Sequence, residues 1–209
     1  MPNALVFYTN PMSRGRIVRW MLEELGQPYH TEILEYGTTM KSPSYLAINP
    51  MGKVPAIKHG DVVVTECAAI CTYLADIFHD SALSPPPSHS DRGAYYRWMF
   101  FGAGPLEAAV TNKSLGFEIP PDQFQLQGRA GYGSLNRVLD TLDGALSGRN
   151  YLVGSQFSTA DLYISAQLGW GMQFGTIEKR QNFERYVALH HARTAAQRAG
   201  QIDDALMKA

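Results

Sequence analysis

Three short stretches carry groups that could do chemistry. The first, YTNPMSRGRIVRWMLEELG (residues 8–26), leaves a short apolar strand, turns at Asn10-Pro11 and enters an amphipathic helix whose first turn carries Ser13, Arg14 and Arg16. A strand, a turn and a helix N-terminus in that order can hold an anion, because free N–H groups and the helix dipole favour negative charge there. A cysteine in that turn would make a redox site, but this chain has Ser13. Ser13 also suits a plain N-cap, its hydroxyl taking up an unpaired N–H. Arg14 and Arg16 have the wrong sign for a helix start unless an anion lies nearby or they pair elsewhere.

The second stretch is NPMGKVPAI, residues 49–57. With a cis Val54-Pro55 bond, Val54 would turn its N–H and C=O outward, free to pair with an extended peptide as an added strand would. With a trans bond it is an ordinary loop. The third is TECAAI, residues 65–70, where Glu66 and Cys67 end a strand and open a helix. The first-turn N–H groups suit a carboxylate and the Glu66 side chain suits an ammonium group, the pairing an amino-acid zwitterion needs. The dipole alone also favours a glutamate at a helix start.

These stretches need a scaffold, and the hydrophobic pattern describes one. Residues 4–8, 29–35 and two runs within 54–66 read as strands, the last two around His59-Gly60-Asp61. Ile17, Val18, Met21, Leu22 and Leu25 recur at helical spacing before Gly26, and Ala69, Ile70, Tyr73, Leu74 and Ile77 do so in the next helix. The order β-α-β, β-β-α predicts a mixed four-stranded sheet with helices packed on it. DSALSPPPSHSD (80–91) carries three successive prolines and reads as a linker. Beyond it everything reads as helix, including an aromatic-rich helix interrupted near Gly102–Pro105 and a capping-box spacing at Ser158 and Asp161. The expected division is therefore 1–80, a linker at 81–90, and an all-helical domain at 91–209.

Composition narrows the functional classes. A formal net charge of -1 with 18% charged residues argues against coating nucleic acid or a membrane surface, which would call for a basic excess. No apolar run approaches a membrane span and the N-terminus carries no signal-peptide pattern, so a cytoplasmic protein is expected. Cys67 and Cys71, four apart on a helix, read as core residues, and no His, Cys or carboxylate cluster has metal-ligand spacing; no metal is expected.

The three stretches in this order, together with FSTADL (157–162), resemble the glutathione S-transferase family over nearly the whole chain. NPMGKVPAI followed by the acidic helix start is the most specific block. The resemblance implies a thioredoxin-like α/β N-terminal domain, an all-α C-terminal domain, a homodimer, and glutathione as co-substrate. It implies that Val54, ahead of a cis Pro55, pairs with the cysteinyl backbone, and that Glu66 and the Cys67 N–H take the γ-glutamyl group. Lys53 and Lys41 would steady the glycyl carboxylate. Ser13 would donate a hydrogen bond to the sulfur, with Tyr8 and then Asn10 as alternatives. Met12, Tyr96, Trp98, Met99 and Phe101 would line the pocket for a small apolar electrophile. The implied activity is thiol transfer in detoxification. Its alternatives are a non-catalytic glutathione- or ligand-binding protein, or a glutathione-dependent peroxidase or disulfide reductase. Relatives often have Ser where this chain has Cys67, which keeps the N–H but drops a hydroxyl contact.

Overall fold

The computed structural model describes residues 4–208. The chain forms two compact units. One comprises residues up to Ala82 together with Arg193 onwards, the other Leu83–Ala192.

In the first unit β1 (Leu5–Thr9) alternates, with Leu5, Phe7 and Thr9 buried and Val6 and Tyr8 half-buried. It pairs in parallel with β2 (His30–Ile33) and antiparallel with β3 (Ala56–His59), which pairs antiparallel with β4 (Val62–Thr65); the order is β2-β1-β3-β4. A parallel pair needs a crossover, and α1 (Gly15–Leu25) supplies it, burying Ile17, Val18, Met21 and Leu22. It stops at Gly26, whose left-handed backbone (φ 62°) lets its N–H reach the Leu22 carbonyl. The β3–β4 hairpin turns at Gly60 (φ 59°). A four-residue helix not foreseen from the pattern, α2 (Pro43–Leu46), starts at Ser42, whose hydroxyl accepts the Tyr45 N–H. Helix α3 (Cys67–Ile77) follows β4 and buries Ile70, Cys71 and Leu74.

The second unit is helical: α4 (Arg92–Phe101), a π-helical turn (Gly102–Leu106), α5 (Glu107–Ser114), α6 (Phe124–Arg129), α7 (Leu135–Leu146), α8 (Thr159–Gln173) and α9 (Gln181–His191). The expected interruption near Gly102–Pro105 is the π turn, which keeps the helix going past Pro105. At the start of α8 the Asp161 carboxylate, fully buried, accepts Leu152 N–H (2.7 Å), Ser158 N–H (2.8 Å), Ser158 O–H (2.9 Å) and Tyr186 O–H (2.6 Å). One side chain thereby joins a loop, a helix start and α9.

The expected boundary at 91–209 does not describe the last helix. Helix α10 (Thr194–Leu206) belongs to the first unit, where it packs along α1. Among the described residues no helix is long and apolar enough to cross a membrane.

Candidate functional site

Strand register brings the three stretches together. Tyr8 lies opposite Ala56 and Ala56 opposite Thr65. One step further along each strand, the residues after β1, the Val54-Pro55 pair before β3 and Glu66 after β4 share one end of the sheet. The α1 and α3 N-termini open there too, and the Cys67 thiol points to the Arg14 carbonyl at 3.8 Å. The Val54-Pro55 bond is cis.

Asn10 builds the first turn. Its Oδ1 accepts Met12 N–H (2.9 Å), its Nδ2 donates to Leu34 O (2.9 Å), and its carbonyl accepts both Ser13 N–H (3.0 Å) and Ser13 O–H (2.6 Å). Ser13 Oγ in turn accepts Gly15 N–H at 2.9 Å. A Cβ on Gly15 would collide with Thr9 Oγ1, so the turn packs this closely only with glycine there. Ser13 therefore closes a local turn one residue ahead of the α1 N-cap, Arg14, and is 8% exposed with its single proton given to Asn10. To reach a ligand sulfur the hydroxyl would exchange that acceptor for another.

Tyr8 faces the opposite side of the sheet from Phe7. Its ring packs on Tyr45 at 5.6 Å within a cluster that includes Met40, Ala56 and Val54. Burial, and then the Glu32 charge, push its pKa up, so the phenol stays protonated. Asn10 has both side-chain ends engaged and is 5% exposed.

The NPMGKVP loop is held from inside. Asn49 Nδ2 (2.8 Å) and Tyr45 O–H (2.6 Å) both donate to the Lys53 carbonyl, and Asn49 Oδ1 accepts Met51 N–H at 3.1 Å. Burial pushes the Tyr45 phenol up to about 12, keeping it a donor. Lys41 Nζ donates to Met51 O (3.2 Å) and Gly52 O (2.9 Å), which leaves one N–H of its three for a ligand. Lys53 is exposed. Asn49 and Tyr45 were not foreseen as site residues. The legible sign was Asn49 three residues before Gly52, an Asx-turn pattern.

Glu66 is the backbone outlier of the site. It is one of two described non-glycine residues with positive φ, at φ 67° and ψ 120°, and its exposed side chain makes no capping bond. Strain of this kind persists only where surrounding structure imposes it, and it concentrates at ligand sites. Cys67, 9% exposed, begins α3 immediately behind it.

The expected pocket residues, Met12 and four from the aromatic helix, divide. Met12 and Tyr96 are exposed at 76% and 41%, and Phe101 is half-buried against Trp98. Trp98 and Met99 are each 3% exposed and share the inward face of α4 with Tyr95. A cavity of about 420 Å³ does open in the helical unit, lined among others by Asn112, Lys113, Phe117, Phe124, Tyr132 and Arg137, and by none of the five.

Comparison with known proteins converges on one family. Residues 12–77 match the model for the glutathione S-transferase N-terminal domain and residues 129–192 that for the C-terminal domain. A glutathione S-transferase-like protein of Aspergillus terreus, gedE, is 34% identical over 169 residues, 73% of this chain and 70% of the relative. The chain belongs to the glutathione S-transferase family.

Other relatives bear on how far that statement reaches. Glutathione S-transferase 1 of Schizosaccharomyces pombe is 30% identical over 68% of this chain, and elongation factor 1-gamma of Prunus avium is 31% identical over 66%. The matched region spans 64% of the first and 32% of the second. The solved glutathione transferase of Methylococcus capsulatus is 29% identical and superposes with a TM-score of 0.78, covering 96% of this chain and 99% of that one. The thioredoxin-like sheet followed by a helical unit is this family's fold. Among the described residues no three His, Cys, Asp or Glu side chains gather as a metal site would need.

Proposed function

We propose that this chain is a glutathione transferase, binding glutathione at the sheet end just described and activating its thiol for attack on a small apolar electrophile. The observation that carries the reading is the cis Val54-Pro55 pair set beside Glu66, whose backbone is held at positive φ at the mouth of α3. Val54 pairs with the cysteinyl backbone as an added strand would. Glu66 takes the γ-glutamyl ammonium, and the first-turn N–H groups of α3, that of Cys67 included, take its carboxylate. Lys53 and the remaining Lys41 N–H hold the glycyl carboxylate.

The thiol needs a donor, not an enzyme nucleophile. Moving its pKa from about 8.5 to about 6.5 requires about 2.7 kcal/mol of preference for the thiolate. One hydrogen bond to a charged group contributes about 1.5–3 kcal/mol, so the Ser13 hydroxyl at the positive end of α1 is sufficient once its proton turns from Asn10 O to sulfur. The thiol proton leaves to water. The sulfur lone pair then forms the C–S bond, and the leaving group departs with the electron pair of the bond it breaks. The homodimer, the cytoplasmic location and the detoxifying role are part of the same proposal and rest on family membership.

A second reading is a binding protein that holds glutathione without activating it. It is favoured by the engaged Ser13 proton, and by a relative that carries the name elongation factor 1-gamma. Ultraviolet thiolate absorbance of bound glutathione against pH separates the two. A lowered thiol pKa that returns towards the free value in Ser13→Ala, and not in Tyr8→Phe, supports the transferase. An unshifted pKa at saturating glutathione leaves the binding protein.

A further inference from the structure

The charges of α1 run against its own dipole. It carries no acid in its first turn and no base in its last, with Arg16 and Arg19 in its N-terminal half and Glu23 and Glu24 near its C-terminus. Helix α10 has the same reversal: Arg193 precedes it, Arg198 follows in its N-terminal half, and Asp203 and Asp204 lie near its C-terminus. Each arrangement is unfavourable in a helix alone. Packed antiparallel, the two form four ion pairs in sequence. Arg16 meets Asp204 at 2.6 Å, Arg19 meets Asp203 at 3.1 Å, Glu23 meets Arg198 at 2.7 Å, and Glu24 meets the fork of Arg193 at 2.7 and 2.8 Å. The Arg19–Asp203 pair is buried, with exposures of 2% and 1%, and the Arg19 guanidinium lies 5.0 Å over Phe7 while donating to Tyr29 and Thr31. The helix that begins at the Asn10–Ser13 turn is thus built to be completed by α10.

The first of these pairs reaches the turn itself. Arg16 gives Nη2 to Asp204 and Nη1 to the Pro11 carbonyl, the latter at 3.4 Å. Pro11 lies between Asn10, which organises the turn, and Ser13, which caps it. We propose that α10 is a working part of the glutathione half, with Arg16 a positioning residue that Asp204 orients to hold the Pro11 carbonyl and fix the Asn10–Ser13 turn. The proposal rests on the glutathione reading above and adds to it a residue and a helix that take no part in holding the ligand.

The full-length protein tests it by charge exchange, with thermal midpoint, glutathione affinity by calorimetry and bound-thiol pKa as readouts. Arg16→Asp and Asp204→Arg each lower the midpoint and weaken glutathione about fivefold, the scale of one long charge-assisted hydrogen bond. Combining them restores the ion pair and the midpoint. Glutathione affinity and thiol pKa stay impaired, because the introduced carboxylate has no N–H to give Pro11. Asp204→Asn, at a half-exposed position that tolerates change, weakens glutathione with little loss of midpoint. Recovery of affinity together with midpoint in the double exchange would make the pair purely structural and overturn the proposal. So would unchanged affinity in Asp204→Asn. Absence of glutathione binding in the wild type would instead remove the functional reading, and the positioning role with it.

Discussion

Replacing Glu66 by glycine should stabilise the protein and cripple its ligand site. At φ 67° and ψ 120° a residue with a Cβ is held outside its comfortable regions, at about 1–3 kcal/mol. Glycine removes that strain and returns about 0.5–1 kcal/mol as extra unfolded-state entropy. The Glu66 side chain is exposed and makes no cap bond, so its loss removes no bond that holds the fold. The net gain is about 0.5–2 kcal/mol, and for a chain of this length the apparent melting temperature should rise by roughly 2–6 °C. Glutathione should bind about tenfold to a hundredfold more weakly, the range covered by one charge-assisted contact to its ammonium group. Glu66→Gln separates the two effects, keeping the strained backbone and losing only the charge. Its melting temperature should match the wild type while its affinity falls. Scanning calorimetry of the free protein and titration calorimetry with glutathione read both quantities. A Glu66→Gly protein that melts lower, or that binds glutathione as tightly as the wild type, would refute the argument that this backbone is strained for the ligand's sake.

Other substitutions probe the remaining parts. Ser13→Ala takes the acceptor from the Gly15 N–H while the Asn10 carbonyl keeps the backbone N–H of residue 13, so it should lower stability by about 1 kcal/mol and return the bound-thiol pKa towards about 8.5; thiolate absorbance and a denaturant melt check the pair. Asp161→Ala strands four donors in a buried network and should cost about 3–5 kcal/mol, visible as a collapse of the urea midpoint. His191 has its pKa lowered from 6.5 chiefly by burial, partly countered by a hydrogen bond with Ser165. The unfolded chain therefore takes up a proton at a pH where the folded one does not, and stability is lost as pH falls from 6.5 towards the lower folded value. His191→Gln should flatten that acid limb in melts recorded across the same window.

What the sequence showed and hid follows from how local each feature is. The NPMGKVP loop, the Gly26 stop and the Ser158/Asp161 start are legible because a few adjacent residues determine them. The inward face of α4 went unread, although Tyr95, Trp98, Met99, Gly102 and Leu106 recur at three- and four-residue spacing and are all buried. That spacing outweighs aromatic content as a guide, and places Trp98 and Met99 inside while Tyr96 and Phe100 face out. Ser42-Pro43 has the form of an N-cap followed by proline at the first helical position, but four residues carry no helical period, so α2 went unforeseen. The direction of the Ser13 proton was not legible, because it depends on where the turn places a carbonyl three residues back. Nor was the home of α10, because a reversed charge pattern looks only like a poor helix until its partner is beside it.

The site separates holding from activation. On the glutathione reading proposed above, holding would use backbone: the Val54 amide and carbonyl, the Glu66 turn and the first-turn N–H groups of α3. Only the Glu66 carboxylate and the lysines add side-chain charge. Backbone groups survive side-chain change, so Cys67 can offer its N–H whatever side chain stands there. Activation on that reading would rest on one hydroxyl, that of Ser13, which is already committed to Asn10. A family built this way can lose catalysis by a single side-chain preference while keeping the ligand, and fold cannot distinguish the two outcomes. The competition at Ser13 Oγ is therefore the point on which enzyme and binding protein divide. Bound glutathione must offer the hydroxyl a better acceptor than the Asn10 carbonyl does. A thiolate, charged and at the positive end of α1, meets that requirement where a neutral thiol does not. Binding by the turn and ionisation of the ligand should then be one event, in which the serine releases Asn10 only as the sulfur loses its proton.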